Sequence, residues 1–211
     1  MHQELENQTP ERAPRRGFVK GLFDVFEMFI ISLFVVFMLF TFAIRLCRVD
    51  GPSMVKTLFS GENLLVSELG YTPEQDDIVI FHMTDPESNM EKTLVKRVIA
   101  TGGQTLVINF TTAKITVDGK EYADSHAIFL NSKGQQTAGY LVDSQITGHP
   151  GYEIVNGEEI LTVKVPEHHL FVMGDNRNNS KDSRDDAISF VDERCVLGKV
   201  VARLSPFTVF S

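Results

Sequence analysis

The chain has 211 residues, 43% hydrophobic and 23% charged, which is a globular balance and excludes a disordered, fibrous or collagen-like protein. Residues 1–45 hold five basic and five acidic side chains, so the net charge of −8 belongs to residues 46–211, with fifteen basic and twenty-three acidic. Nucleic acid, which needs a basic face, is therefore excluded as a partner.

The first predicted element is apolar and long. Met28–Ile44, MFIISLFVVFMLFTFAI, is interrupted only by Ser32 and Thr41. As a helix it would reach roughly 25 Å, or roughly 34 Å if it starts at Leu22, which brackets the ~30 Å hydrocarbon core of a bilayer. A core helix would show a polar face, and a cleaved signal would have a shorter apolar centre before a small-residue site. Here RLCRVDG follows. The expectation is an uncleaved anchor at 22–45 behind a cytoplasmic tail, 1–21, and before an extracytoplasmic domain, 46–211. Arg12, Arg15, Arg16 and Lys20 precede the run and Arg45, Arg48 and Lys56 follow it, a four-to-three bias that places the N-terminus inside. The acidic domain gains nothing from anionic lipid, so its approach to a bilayer must use apolar surface.

Beyond the anchor the texture is β-like. LLVSEL, DIVIFHM, TLVKRVIA, TLVINF, KITVDGKEY, EILTVKV and HLFVM are rich in Val, Ile, Leu, Phe and Thr and are separated by Gly, Pro, Asp and Asn. Asp118-Gly119 marks a two-residue hairpin. The fold class is mainly β: an antiparallel-sheet domain behind one N-terminal transmembrane helix, with a loop-rich insertion at about 121–160. Cys47 and Cys195 are too few for a disulfide framework. Free or buried thiols are the expectation, with pairing outside the cell as the alternative.

Ser53 and Lys56 in GPSMVKTL have the S-x-x-K spacing of penicillin-recognising acyl enzymes. Serine needs a neighbouring base and donors for an oxyanion. None of the six histidines sits in a recognisable motif. No Cys/His cluster has metal-ligand spacing, so neither metal nor cofactor is expected. Lysine can serve as base where burial disfavours its charge. In TLVKRVIA, Lys96 shares a strand face with Leu94, Val98 and Ala100, while Arg97 points the other way. Lys56 lies in a turn where its ammonium can reach water, although spacing alone leaves it within reach of Ser53. The penicillin-recognition reading lacks K-T-G and S-D-N.

Four stretches then converge. VDGPSMVKTL, DDIVIF, LVKRVIATGGQ and MGDNRNNSKDSR, in that order behind an apolar anchor, closely resemble the successive boxes of bacterial type I signal peptidases. The resemblance spans residues 49–184 and follows the patterns VDGxSMxPTL, GDIVxF, KRVIGLPGD and GDNRxxSxDSR. It implies a serine endopeptidase with Ser53 as nucleophile and Lys96 as general base. Ser180 would hydrogen-bond the Lys96 amine, Asp182 and Arg184 would form an ion pair, and Gly174, Asp175 and Asn176 would turn beside the dyad. By family position Met54, Leu58, Ile80, Leu94 and Val95 would line shallow pockets for residues −1 and −3 of an extended peptide.

The implied substrates are secretory preproteins ending their signals in Ala-x-Ala, met by a monomeric enzyme held in the same lipid bilayer. This sequence departs from the patterns at Lys56 for a proline, at Asp76 for a glycine, and at Ala100–Gln104, where ATGGQ replaces GLPGD. Gly51 carries no hydroxyl to support an oxyanion, leaving the Ser53 N–H as the one nameable donor. A non-catalytic relative that only binds signal peptides is the alternative.

Overall fold

The computed structural model describes residues 16–68, 70–84 and 91–210. The tail expected at 1–21 lies outside the described residues as far as residue 15.

The chain divides into two compact units, 1–41 and 42–211. The first is built on helix α1, Arg16–Ala43. Within it Val19–Met38 is long and apolar enough to cross a membrane. Twenty residues at 1.5 Å each rise about 30 Å. The large apolar side chains of this stretch are exposed and distributed all round, unlike those of a core helix.

The second unit is mainly antiparallel β. Its strands are β1 Ile44–Arg48, β2 Asn63–Ser67, β3 Ile78–Thr84, β4 Glu91–Ala100, β5 Thr105–Asn109, β6 Lys114–Val117, β7 Lys120–Glu121, β8 Tyr152–Val155, β9 Glu158–Lys164, β10 His169–Met173, β11 Val191–Asp192, β12 Val196–Leu204 and β13 Phe207–Val209. One sheet runs β1-β2-β12-β3-β4-β10-β11, with β13 on β12, and the other runs β7-β6-β5-β9-β8. A single helical turn, α2, spans Ser144–Thr147.

Alternation explains how the larger sheet is covered on both faces. Ile78 and Ile80 of β3 join Val49, Met54, Leu58, Leu64, Val66 and Val200 in one apolar cluster. Val79 and Phe81 point the other way and join Val98, Leu170, Val172, Ile188 and Val191. A third cluster packs Ile99, Phe171 and Met173 of the large sheet against Leu106, Ile108, Leu161 and Val163 of the small one. Each such fully buried side chain contributes roughly 1.5–3 kcal/mol.

Two turns follow local chemistry. Asp118 and Gly119, between β6 and β7, both have positive φ, 51° and 75°, as a type I′ hairpin requires. Asp76, where the family pattern has glycine, holds φ 75° before β3. Aspartate tolerates this left-handed conformation better than most residues. Its side chain accepts from the Tyr122 hydroxyl and its carbonyl from Arg97 Nη1 at 2.8 Å.

Residues 122–143 carry only isolated bridges, and Ser125-His126 sit in a turn rather than a strand. The segment is nonetheless pinned. Ile128 N–H donates to the Asp175 carbonyl and Arg177 N–H to the Ile128 carbonyl, both at 2.8 Å. The Arg177 guanidinium pairs with Asp124.

Candidate active site

Three pieces of chain meet beside β4 of the larger sheet. Residues 51–58 supply Ser53, β4 supplies Lys96, and the turn after β10 supplies residues 174–184. Lys96 pairs with Val79 across β3 and is 3% exposed. Its Nζ donates to Ser53 Oγ at 2.9 Å and to the Val95 carbonyl at 3.1 Å.

Burial pulls the Lys96 pKa down to about 8, because an ammonium there loses its water. Asp182 and Asp175 oppose that shift and Arg184 reinforces it. At pH 7 about one amine in ten is then neutral, against about one in three thousand for an ordinary lysine. A neutral amine at hydrogen-bond distance can accept the serine proton. Lys56 makes no such approach to Ser53 and instead lines a separate cavity with Arg203 and Lys199.

The nucleophile segment is fastened from behind. Asn176 N–H donates to the Ser53 carbonyl at 2.9 Å, and Asn176 Nδ2 to the Pro52 carbonyl at 3.2 Å. Asp175, fully buried, accepts two bonds of 2.8 Å from Arg97 and a third from the Thr57 hydroxyl. That bidentate pair ties β4 to the turn.

Asp182 and Arg184 form a second buried pair at 2.8 Å, and Asp182 also accepts the Gly174 N–H at 2.9 Å. Burial alone would raise the Asp182 carboxyl, but the Arg184 guanidinium and the Gly174 N–H hold it below the usual carboxylate range. Gly174 leaves no room for a side chain. A Cβ there would lie 2.2 Å from Ser180 Oγ and 2.6 Å from the Ser53 carbonyl oxygen.

Ser180 was expected to hydrogen-bond the Lys96 amine. Its Oγ is buried and makes no bond to the Lys96 amine, whose two bonds go to Ser53 and Val95; it stands instead beside the Asp182 carboxyl, which it helps to hold down. The Ser53 backbone N–H donates no hydrogen bond among the described residues.

Two cavities open beside the dyad. The smaller, about 120 Å³, is bordered by Ser53, Lys96, Ile80, Leu94 and Val95. Met54 and Leu58, read from family position as pocket residues, do not line it. They are 1% and 0% exposed and fill the apolar cluster that Ile80 and Val95 also join. Cys47, Val49 and Leu64 line the cavity and were not singled out in the sequence. The signal for two of them was local: Cys47 and Val49 alternate into the VDG box. Cys47 and Cys195 are both free, and burial pushes the Cys47 thiol up. The larger cavity, about 250 Å³, lies against Ser53, Leu94, Lys96, Met83, Ala187 and Ile188.

Residues 22–205 match the family model described as signal peptidase, peptidase S26. Signal peptidase I of Bacillus caldolyticus is 33% identical over 166 residues, covering 77% of this chain and 80% of that protein. Signal peptidase IB of Staphylococcus aureus is 30% identical over 183 residues, covering 85% and 87%. A crystal structure of signal peptidase I from Enterococcus faecalis aligns with a TM-score of 0.42 at 24% identity, over 62% of this chain and 97% of that one. The chain belongs to the signal peptidase family, peptidase S26.

Proposed function

We propose that this protein is a membrane-anchored serine endopeptidase that removes N-terminal signal peptides from exported preproteins after Ala-x-Ala-like sites. The observation that carries the reading is the 2.9 Å bond from a 3%-exposed lysine amine to a serine hydroxyl.

In this mechanism the neutral Lys96 amine takes the Ser53 proton as Oγ bonds to the scissile carbonyl carbon. The developing oxyanion accepts the Ser53 N–H. As the C–N bond breaks, the Lys96 ammonium returns its proton to the leaving amine. Lys96 then deprotonates the water that hydrolyses the acyl-enzyme. The Asp175 and Asp182 pairs hold both pieces of chain in register.

The 120 Å³ cavity suits small side chains at −1 and −3, with Ile80, Leu94 and Val95 as walls. The anchor, 22–45, holds the protein in the bilayer that also holds the preprotein's apolar segment, which raises their effective concentration. The tail, 1–21, lies inside and the catalytic domain, 46–211, outside, and the enzyme acts as a monomer.

Incubating the detergent-solubilised full chain with a model preprotein tests the reading. The expected product is a mature chain whose N-terminus follows Ala-x-Ala. Binding of the preprotein without any cut would instead identify a non-catalytic relative.

A further inference from the structure

We infer that Asp124 and Tyr140, from the loop-rich stretch between β7 and α2, are positioning residues: through Arg177 they fix the 174–184 turn and, with it, the place of Ser53. The inference rests on the peptidase reading above and extends it to residues outside the four boxes.

The turn after β10 is gripped from two sides. On one side Asn176 holds the Ser53 and Pro52 carbonyls through its N–H and Nδ2. On the other, residues 124–141 take hold of the same links. Ile128 runs parallel to Asn176 and makes backbone bonds of 2.8 Å to Asp175 and from Arg177. Asn178 accepts the Leu141 N–H at 2.8 Å and donates to Thr137 Oγ1 and the Gly139 carbonyl, both at 2.9 Å. The turn thus lies between the nucleophile segment and a stretch with little regular structure of its own.

Arg177 is the centre of this grip. Among the described residues its side chain is the bulkiest that is fully buried. Nη2 donates to Asp124 Oδ1 at 2.6 Å and Nη1 to Asp124 Oδ2, a bidentate pair. Nη1 also donates to the Tyr140 hydroxyl at 3.2 Å, and Nε to the Gly174 carbonyl at 3.1 Å. A guanidinium so buried keeps its place only while its charge is met. Asp124 meets it, so one carboxylate outside the boxes sets the group that holds the Gly174 carbonyl.

Tyr140 carries the grip to the second ion pair. Its ring lies 5.6 Å from the Arg184 guanidinium carbon, a cation–π contact. Arg184 in turn donates to the Arg177 carbonyl at 2.7 Å and pairs with Asp182. Edge-on contacts with Phe110 and Phe129, at 5.1 and 4.9 Å, hold the Tyr140 ring. Neither Asp124 nor Tyr140 lines the cavities beside the dyad. Their loss should therefore slow the chemistry and leave substrate binding as it is.

The test measures kcat and KM of the full chain in detergent on one preprotein, at a temperature where unfolding curves show each variant folded. Asp124→Asn removes the charge facing Arg177, and Tyr140→Leu removes the ring facing Arg184. Each is expected to lower kcat about tenfold with KM within about twofold, short of the roughly hundredfold cost of a displacement near 1 Å. Tyr140→Phe, which deletes only the hydroxyl, should lose about threefold. Because Asp124 acts through Arg177, adding Asp124→Asn to Arg177→Met should lower kcat no further than Arg177→Met alone. Ile115→Val, in the core of the smaller sheet, takes stability from elsewhere and should keep the wild-type kcat.

Wild-type kcat in folded Asp124→Asn and Tyr140→Leu overturns the inference. So do losses confined to KM, losses that multiply in the double variant, or an equal loss of kcat in Ile115→Val. If Asp124→Asn does not fold, Tyr140→Phe decides alone, and its full activity overturns the inference. A wild-type chain that cuts nothing overturns the peptidase reading and the inference with it.

Discussion

Asn176 donates its backbone N–H to the carbonyl of Ser53 at 2.9 Å, across 123 residues of sequence. The nucleophile segment and the turn after β10 are therefore one unit. What moves the turn moves the serine.

Replacement of the dyad gives the first expectation. Ser53→Ala and Lys96→Ala should each lower preprotein cleavage at least about a thousandfold, the scale of a lost nucleophile or base. Lys56→Ala should retain most of it, because Lys56 lines a different cavity. Initial rates in detergent check this. Loss confined to the Lys56 variant would reverse the assignment.

Acidity should titrate the base. With the Lys96 pKa near 8, the neutral fraction falls about tenfold for each pH unit below that value. A kcat/KM profile should rise with unit slope to about pH 8 and then level. A profile flat from pH 8 to pH 6 would remove lysine from the chemistry.

The same depressed pKa has a cost in stability. Between pH 8 and the ordinary 10.5, the unfolded chain keeps the Lys96 proton that the folded chain has lost. Stability attributable to this residue therefore rises with pH through that window and is lowest below pH 8. At about 1.4 kcal/mol per pKa unit, Lys96→Met should gain up to about 3 kcal/mol at pH 7. The gain should vanish above pH 10.5. Denaturant unfolding of both proteins at the two pH values measures the difference.

Asp175→Asn leaves the buried Arg97 guanidinium without its carboxylate. Breaking one side of such a pair costs about 3–5 kcal/mol, and Thr57 loses its acceptor as well. A fall of several degrees in Tm together with reduced cleavage is expected. An unchanged Tm would separate the pair from the fold.

Gly174→Ala should act through space alone. The added carbon meets Ser180 Oγ and the Ser53 carbonyl well inside contact distance. Cleavage should drop at least about a hundredfold, since a misplacement near 1 Å costs that much. Wild-type rates would show that the turn yields without disturbing the serine.

Much of this was legible in the chain. The apolar run, its all-round hydrophobicity and the period-two alternation around Lys96 are local properties, and local properties survive in sequence. The Asp118-Gly119 hairpin is of the same kind. β12 was not among the expected runs, although it lies between β2 and β3 in the larger sheet. Gly198 and the charges of VLGKVVARL disguise it. There a Cβ would come within 2.4 Å of the Ser67 carbonyl oxygen, so the glycine serves close packing rather than a turn.

The sequence by itself determined the anchor helix, the β character of the domain and the four boxes whose resemblance points to a serine and a lysine. Tertiary structure alone decided that Met54 and Leu58 fill the core instead of a pocket wall. It also decided that Ala187 and Ile188 reach a cavity beside Leu94 and that Thr57, Arg97 and Asp175 share one buried network. Side-chain alternation says which way a residue points along its own strand, but not which distant segment covers that face. Burial, and the lysine pKa that follows from it, depends on that cover.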